Sequence, residues 1–324
     1  MAQYAKVTGW GKYLPERVLT NQDLECIVDT SDSWITTRTG IKERRIAGAD
    51  ETASTMAVQA SRKALEVAGL TPDSIDLIIA ATSTPECIFP ACASVVQGSL
   101  DAKNAAAFDL NAACSGFIYA LSIACQFVAA GTYDAILVVG SEVYSRILDW
   151  HDRNTCILFG DGAGAVVVQA SDSESGNFNF ILGNDGSGAD LISAPAPCGI
   201  SDGRCVLSMK GPEVFKFAVN VICQATKEVV AAANLELFDI DLIIPHQANT
   251  RIIKTAAKHL DIPLEKFFIN MDRYGNTSAA SIPIAICEAV EEGRIKEGDR
   301  IVLVGFGSGL SWAAMVLEWG ATVV

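Results

Sequence analysis

Short apolar runs bounded by Gly, Asp and Asn alternate along this chain with longer segments whose apolar residues recur every three or four positions. Runs of the first kind read as buried strands, and segments of the second kind as helices packed on them. In chain order the pattern predicts a strand over Ala5–Tyr13 and two short polar helices around Asn21–Asp29 and Asp32–Thr37. An amphipathic helix over Thr52–Ala68, a strand over Asp76–Ala81, and a loop with a short helix over Pro85–Gly98 follow. Ala105–Leu110 reads as a strand, Asn111–Gly116 as a turn of small residues, and Phe117–Ala130 as an apolar helix. Next come the strand Ala135–Gly140 and a polar excursion, Ser141–Asn154. Thr155–Val168 reads as strand, turn and strand. Its glycines suggest a phosphate loop, but β-branched residues follow them where a helix should open, so nucleotide binding is set aside.

The second half repeats the first. Ser171–Asn177 is the best linker candidate, and irregular strands run on to Met209. A helix is expected over Pro212–Ala233, with Pro well placed in its first turn. The strand Asp241–Ile244, the helix Thr250–Leu260, a helix opened by Gly275–Ser278 and running to Glu292, and the strands Arg300–Gly305 and Leu310–Trp319 complete the chain. Asp241, Asn276 and Gly305 each stand 165 positions after an equivalent residue, Asp76, Asn111 and Gly140. The coincidence implies two duplicated α/β halves, 1–173 and 174–324.

Composition narrows the function classes. The 324 residues are half hydrophobic, enough for a deep core, and the net charge of −14 opposes non-specific binding to nucleic acid or membrane. The opening residues lack the plan of a signal peptide, and no apolar run is long enough to span a bilayer. Ten cysteines without a C-x-x-C pair, and only three histidines, point away from a disulfide framework and from a metal site. A soluble protein of the reducing cytoplasm is expected.

Cys114 is placed where a strand ends and a helix begins, among Ala112, Ala113, Ser115 and Gly116, which leave room for an approaching group. Free N–H groups and the helix dipole favour a thiolate there. In duplicated α/β sheets, sites lie beyond the carboxyl ends of strands. His246 follows one such strand and Asn276 opens the helix equivalent to that of Cys114, so the three converge on the seam between halves. A thiol nucleophile, an imidazole and an amide together fit acyl transfer: sulfur takes the acyl group, and two donors hold a second carbonyl as charge develops on it. Each also has a structural reading: a buried core thiol, a capped histidine and a helix N-cap.

Asn111-Ala112-Ala113-Cys114-Ser115-Gly116-Phe117, Pro245-His246-Gln247-Ala248-Asn249, Gly275-Asn276-Thr277-Ser278-Ala279 and Gly305-Phe306-Gly307-Ser308-Gly309 resemble the β-ketoacyl-acyl-carrier-protein synthase III family of the thiolase superfamily. The resemblance implies a thiolase-like fold layered α-β-α-β-α, a homodimer, and initiation of type II fatty-acid synthesis without a cofactor. It implies that acyl-CoA loads Cys114, and that malonyl-acyl-carrier-protein then loses carbon dioxide and condenses with the acyl group, aided by His246 and Asn276. The backbone N–H groups of Cys114 and Ser308 would hold the oxyanion, with Ser308 standing where the family usually has Gly. Trp34 and Arg153 resemble the pair that sandwiches the CoA adenine, with Arg38 near its phosphates and Asn249 near the pantetheine arm. Phe89 resembles a residue that enters the partner subunit's acyl pocket, beside Phe159 and Leu207. Arg251, Lys254 and Lys258 share one helix face and, with Lys216, form a candidate patch for docking an acidic carrier protein.

The rivals within this fold are weaker. A thiolase would need a second Cys near Gly305–Gly309, and an elongating ketoacyl synthase would carry His at the position of Asn276. A related condensing enzyme or acyltransferase of secondary metabolism shares the triad. A Cys-His-Asn hydrolase fits the residue order but lacks the C-G-x-C-W signature, and a non-catalytic scaffold does not explain the retained triad.

Overall fold

The computed structural model of the chain describes residues 4–171, 178–196 and 205–320. The boundary expected at 173/174, and most of the expected linker, fall outside those residues. The first half contains β1 (Tyr4–Tyr13), β2 (Val18–Thr20), α1 (Asn21–Glu25), α2 (Asp32–Thr39), β3 (Glu43–Arg45), α3 (Ala53–Ala68) and β4 (Leu77–Ala81). It continues through α4 (Cys92–Leu100), β5 (Ala106–Leu110), α5 (Gly116–Ala129), β6 (Ala135–Val143) and β7 (Asp161–Ser171). The second half has β8 (Phe178–Asn184), β9 (Ile192–Ser193), β10 (Ser208–Met209), α6 (Gly211–Ala232), β11 (Leu242–Pro245) and α7 (Thr250–Leu260). It closes with α8 (Met271–Tyr274), α9 (Ser281–Glu291), β12 (Arg300–Gly307) and β13 (Ser311–Glu318).

The helices begin and end where local chemistry dictates. Thr52 caps α3 by accepting from the Thr55 N–H, and Gly69 closes it at φ +66°, a conformation that suits glycine. Asn249 caps α7 through the Arg251 N–H. The strands form two large sheets with one plan. The first has the order β1-β7-β6-β4-β5, and the second, read from its other edge, β8-β13-β12-β11. In each, the strand carrying the Asp-Leu-Ile-Ile motif pairs in parallel with its crossover neighbour, β4 with β6 and β11 with β12. A single parallel bridge from Ile243 to Phe267 stands where β5 pairs in the first half.

Alternating residues on both faces of each sheet build five layers. Ile79, Val138 and Val166 of one sheet, and Ile244, Leu303 and Met315 of the other, bury α5 and α9 between them. The opposite face of the first sheet (Ile78, Leu137, Val167) packs on α3 and α4, and that of the second (Ile243, Val302, Ala314) on α6 and α7. The expected α-β-α-β-α fold with duplicated halves is what the chain adopts.

Three local readings need correction. Residues read as the start of a polar excursion, Ser141 and Glu142, belong to β6, which is buried throughout. Their polarity is absorbed by hydrogen bonds: the Ser141 hydroxyl donates to the Ala53 carbonyl at 2.6 Å, and Glu142 accepts from hydroxyls beyond β4. Of Thr155–Phe159, read as a strand, Thr155–Leu158 forms turns and Phe159 makes only an isolated parallel bridge to Asn276, so of that pair only the second strand, β7, exists. Buried Arg44 fixes these turns by donating to the Ile157 carbonyl at 2.7 Å. The first helix stops at Glu25 rather than Asp29, while the next runs on to Thr39.

Candidate active site

β5 ends at Leu110 and delivers the chain into a 3-10 turn, Ala113–Ser115, on which α5 is built. Its counterpart in the second half is the turn Ser278–Ala280 that starts α9. Ala113 and Ser278, 165 positions apart, both hold positive φ, +47° and +49°. A non-glycine residue in that region costs roughly 1–3 kcal/mol, so the two symmetric turns carry strain that their packing sustains. Gly307 at the end of β12 lies against the first turn. A Cβ on it would meet the Cys114 nitrogen at 2.7 Å and the Ala113 and Cys114 Cβ atoms at 3.2 Å. The Ser311 hydroxyl ties the Ser308 loop to the same turn, donating to the Ser308 carbonyl at 2.9 Å and lying 2.8 Å from the Ser115 hydroxyl. Ser308 has negative φ, so a serine occupies this position without backbone strain.

His246 follows β11, and its N–H donates to the Val304 carbonyl at 2.8 Å. Its ring is packed edge-on against Phe306, centroids 5.3 Å apart, and Nδ1 lies 2.7 Å from the Ser281 hydroxyl on α9. Nδ1 is thus engaged, which leaves Nε2 for the cavity. Burial pushes the imidazole pKa down to about 3, so the ring is neutral. Asn276 is pinned through its backbone: its N–H donates to the Leu158 carbonyl at 2.8 Å, and its carbonyl accepts from Gly160 at 3.0 Å. Its side-chain Oδ1 accepts from the Ser278 N–H at 2.8 Å, which orients the amide and leaves Nδ2 to donate.

Cys114, His246 and Asn276 line one cavity of about 860 Å³, together with Phe306, Gly307 and Ser308. Cys114 is partly exposed to it. The expectation of a thiolate at rest is corrected here: desolvation pushes the thiol up to about 12, outweighing the opposing influence of the nearby Ser278 and Tyr144 hydroxyls and of its own backbone. A protonated thiol therefore faces a neutral imidazole and an amide donor. Such a set can pass a proton from sulfur as a bond to carbon forms, and can offer two N–H donors to a developing oxyanion.

The same cavity reaches Trp34, Arg38, Asn249 and Arg251. Two guanidinium groups lie over the Trp34 ring, Arg38 at 4.6 Å and Arg153 at 5.3 Å from its centroid. Arg153 also donates to the Asp29 carbonyl at 3.0 Å. Asn249 is engaged at both ends of its amide, capping α7 and donating to the Arg38 carbonyl at 3.1 Å. Phe159 lines the cavity and stacks on Tyr144, centroids 4.9 Å apart, with Leu207 buried in the same cluster. Phe89 lies outside the cavity of its own chain, 83% exposed. Arg251, Lys254 and Lys258 are exposed along α7 and Lys216 is exposed on α6.

Sequence reading missed Ser281, Ser278, Tyr144 and Glu142. Two signals pointed toward them: Ser278 lies 165 positions after Ala113, and Glu142 lies two residues past the Gly that closes the repeated strand. Among the described residues, no group of three or more His, Cys, Asp or Glu is placed to hold a metal ion, and no helix is long and apolar enough to cross a membrane.

Residues 108–186 match the family model described as 3-oxoacyl-[acyl-carrier-protein (ACP)] synthase III, and residues 230–319 match the model of its C terminal. A β-ketoacyl-acyl-carrier-protein synthase III of Roseiflexus sp. (strain RS-1) is 50% identical over 329 residues, spanning 99% of this chain and 100% of the relative. The crystal structure of 3-oxoacyl-acyl-carrier-protein synthase III from Aquifex aeolicus VF5 matches with a TM-score of 0.93 at 50% identity, covering 97% of this chain and 100% of that one. The priming β-ketosynthase of the R1128 polyketide pathway matches with a TM-score of 0.93 at 38% identity, covering 98% of this chain and 97% of that one. On full-length identity of this order, the chain belongs to the β-ketoacyl-acyl-carrier-protein synthase III family.

Proposed function

We propose that the chain is the condensing enzyme that primes type II fatty-acid synthesis, an acyltransferase working through acyl-Cys114. The observation that carries this reading is the convergence of Cys114, His246 and Asn276, from equivalent strand ends of two halves, on one cavity. In the first half-reaction the Cys114 sulfur attacks the thioester carbon of an acyl-CoA, and CoA leaves. The N–H groups of Cys114 and Ser308 receive the oxyanion. In the second, malonyl-acyl-carrier-protein enters and loses carbon dioxide, while His246 Nε2 and Asn276 Nδ2 hold its thioester oxygen. The resulting carbanion attacks the acyl-Cys114 carbonyl and releases 3-oxoacyl-carrier-protein. Acyl-CoA and the malonyl carrier are substrates, and the reading needs no cofactor.

Further assignments follow from it. Trp34, Arg38 and Arg153 take the adenine and phosphates of CoA, and Asn249 takes its pantetheine arm. Phe159 and Leu207 line the acyl pocket of one subunit, and exposed Phe89 enters that of the partner in a homodimer. The exposed stripe Arg251, Lys254 and Lys258, with Lys216, docks the carrier protein. The halves 1–173 and 174–324 serve as the nucleophile-bearing and the donor-bearing unit, and the enzyme works in the cytoplasm.

The test is a panel of acyl-CoAs with malonyl-carrier-protein, read by intact mass and by carbon dioxide release. Acylation confined to Cys114, absent from Cys114→Ala, followed by 3-oxoacyl-carrier-protein is expected. Asn276→Ala should still accumulate acyl-Cys114 while decarboxylation falls by roughly 10²–10³, the usual loss for one oxyanion donor. Hydrolysis of the acyl group without condensation would sink the reading. A second reading, priming of a polyketide pathway, draws on the 38% identity to the R1128 priming ketosynthase. Preference for a polyketide carrier over a fatty-acid carrier, in the same assay, would favour it.

A further inference from the structure

Every residue of α9 from Ser281 to Val290 is buried, and one of them, Glu288, is a carboxylate. Four groups meet its two oxygens. Oε2 accepts from Asn270 Nδ2 and from Arg273 Nη2, each at 2.9 Å. Oε1 accepts from the Tyr274 hydroxyl and, at 3.3 Å, from Lys12 Nζ on β1. Three of the four partners, Asn270, Arg273 and Tyr274, belong to the stretch that includes α8 and runs into Gly275 and Asn276. A buried carboxylate with cationic partners is weak evidence of stability, since apolar residues of similar volume often serve as well. What it can supply is a fixed arrangement of the segments that meet on it.

The segments that meet on Glu288 lead to the two candidate donors. Tyr274 stands two residues before Asn276, whose amide is oriented by the Ser278 N–H. Asn270, with its side chain on Glu288, gives its backbone N–H to Gln247 Oε1 at 3.0 Å. Gln247 Nε2 donates to the Pro245 and Phe268 carbonyls at 2.8 Å and 3.0 Å, so the residue after His246 is held at both ends of its amide. His246 Nδ1 closes the circuit on Ser281, about two turns before Glu288 on the same helix. One carboxylate thus reaches Asn276 through Tyr274, and His246 through Asn270 and Gln247. None of these hydrogen bonds involves Cys114 or the Ala113–Ser115 turn.

We propose that Glu288 is a positioning residue that sets the spacing between His246 Nε2 and Asn276 Nδ2, so that both donors reach one oxygen. The assignment rests on the proposed condensation, in which those two groups hold the thioester oxygen of the malonyl carrier. Glu288 touches no reacting atom and moves no proton. Its effect falls on one half-reaction, because loading uses the Cys114 sulfur and backbone N–H groups that its contacts do not reach.

The test uses the full chain and reads the half-reactions separately. Loading is acyl-Cys114 formation, followed by intact mass with an acyl-CoA that wild type accepts. Condensation is carbon dioxide release from malonyl-carrier-protein by the loaded enzyme. In Glu288→Gln the amide nitrogen faces donors whichever way it turns, so the Asn270–Tyr274 segment must shift. A misplacement of about 1 Å costs roughly 10²-fold, and carbon dioxide release should fall by that factor with loading near the wild-type rate. Lys12→Met is the control for a merely structural role: it removes a cation from the same carboxylate, but from β1, which does not line the cavity. It should leave the ratio of the two half-reactions at its wild-type value. An equal loss of both half-reactions in Glu288→Gln, an unmoved ratio there, or an equal fall of the ratio in Lys12→Met overturns the proposal. Should Glu288→Gln fail to fold, Tyr274→Phe and Asn270→Ala each remove one arm and leave the carboxylate its cations. Each should lower carbon dioxide release by roughly tenfold, within the cost of one lost buried partner, with loading unchanged, and wild-type ratios in both overturn the proposal. Wild type that loads Cys114 and releases no carbon dioxide, or that loads nothing, removes the condensation reading and this assignment with it. Full turnover by wild type, with the ratio unmoved in the variants, removes the assignment alone.

Discussion

His246 Nδ1 and Ser281 Oγ lie 2.7 Å apart, with 1% of the histidine and 2% of the serine exposed. The hydroxyl can donate to Nδ1 or accept from it, so it supports either neutral tautomer of the ring. In the proposed condensation Nε2 donates, and Nδ1 therefore accepts from Ser281. Ser281→Ala leaves a buried ring nitrogen unpartnered, which costs about 1–3 kcal/mol, or roughly 5- to 150-fold in rate if expressed at the transition state. Decarboxylation of malonyl-carrier-protein should fall by that factor while acyl-Cys114 still accumulates. An unchanged decarboxylation rate would mean that Phe306 and the backbone orient the ring unaided.

The buried imidazole also sets a pH dependence of stability. Its folded pKa is near 3, against an ordinary value near 6.5 in the unfolded chain. Between these values the unfolded chain binds more protons, so the His246 contribution is whole above about pH 6.5 and is lost as pH falls toward 3. The loss is at most about 1.4 kcal/mol per pH unit. Urea midpoints at pH 7 and pH 5 should separate less in His246→Asn than in wild type. Parallel behaviour of the two proteins would show that other groups dominate acid unfolding.

Gly307 offers a steric test of the oxyanion geometry. An added Cβ would sit 2.7 Å from the Cys114 nitrogen, a contact that only a backbone shift relieves. Gly307→Ala should therefore depress acylation of Cys114 strongly, by roughly the 10²–10³ that loss of an oxyanion donor brings. Gly98→Ala in α4, where a new Cβ meets nothing within 4 Å, is the matched control and should load at the wild-type rate. Normal loading in Gly307→Ala would place the oxyanion elsewhere.

The strands, their duplicated order and the meeting of Cys114, His246 and Asn276 were legible because they rest on local periodicity and on a repeat at fixed offset. What was not legible depends on distant partners. Ser141 and Glu142 look like loop residues until the Ala53 carbonyl and the Ser83 and Thr84 hydroxyls are seen to satisfy them. Thr155–Leu158 looks like part of a strand until Arg44, more than a hundred residues earlier, is seen to fix it as turns. The helix-start argument for a thiolate at Cys114 counted the dipole and could not count desolvation, which wins.

The last prediction separates the surfaces that would receive the two substrates. Trp34 and Arg38 line the cavity, whereas Lys254 and Lys258 are exposed on α7 and do not. Arg251 belongs to both surfaces: it lines the cavity, and its guanidinium lies 5.4 Å from the Phe215 ring centroid. Trp34→Ala should raise KM for acyl-CoA and leave KM for malonyl-carrier-protein near its wild-type value. Lys254→Glu with Lys258→Glu should do the reverse, and Arg251→Glu should raise both. Exposed charges act weakly, so each reversal should shift KM by roughly severalfold. The electrostatic origin has its own signature. Wild-type KM for the carrier should rise between low and physiological salt, where screening shortens to about 8 Å, and the double reversal should flatten that rise. A double reversal that raises KM for acyl-CoA as much as for the carrier, or that keeps the wild-type salt dependence, would remove α7 as the docking surface.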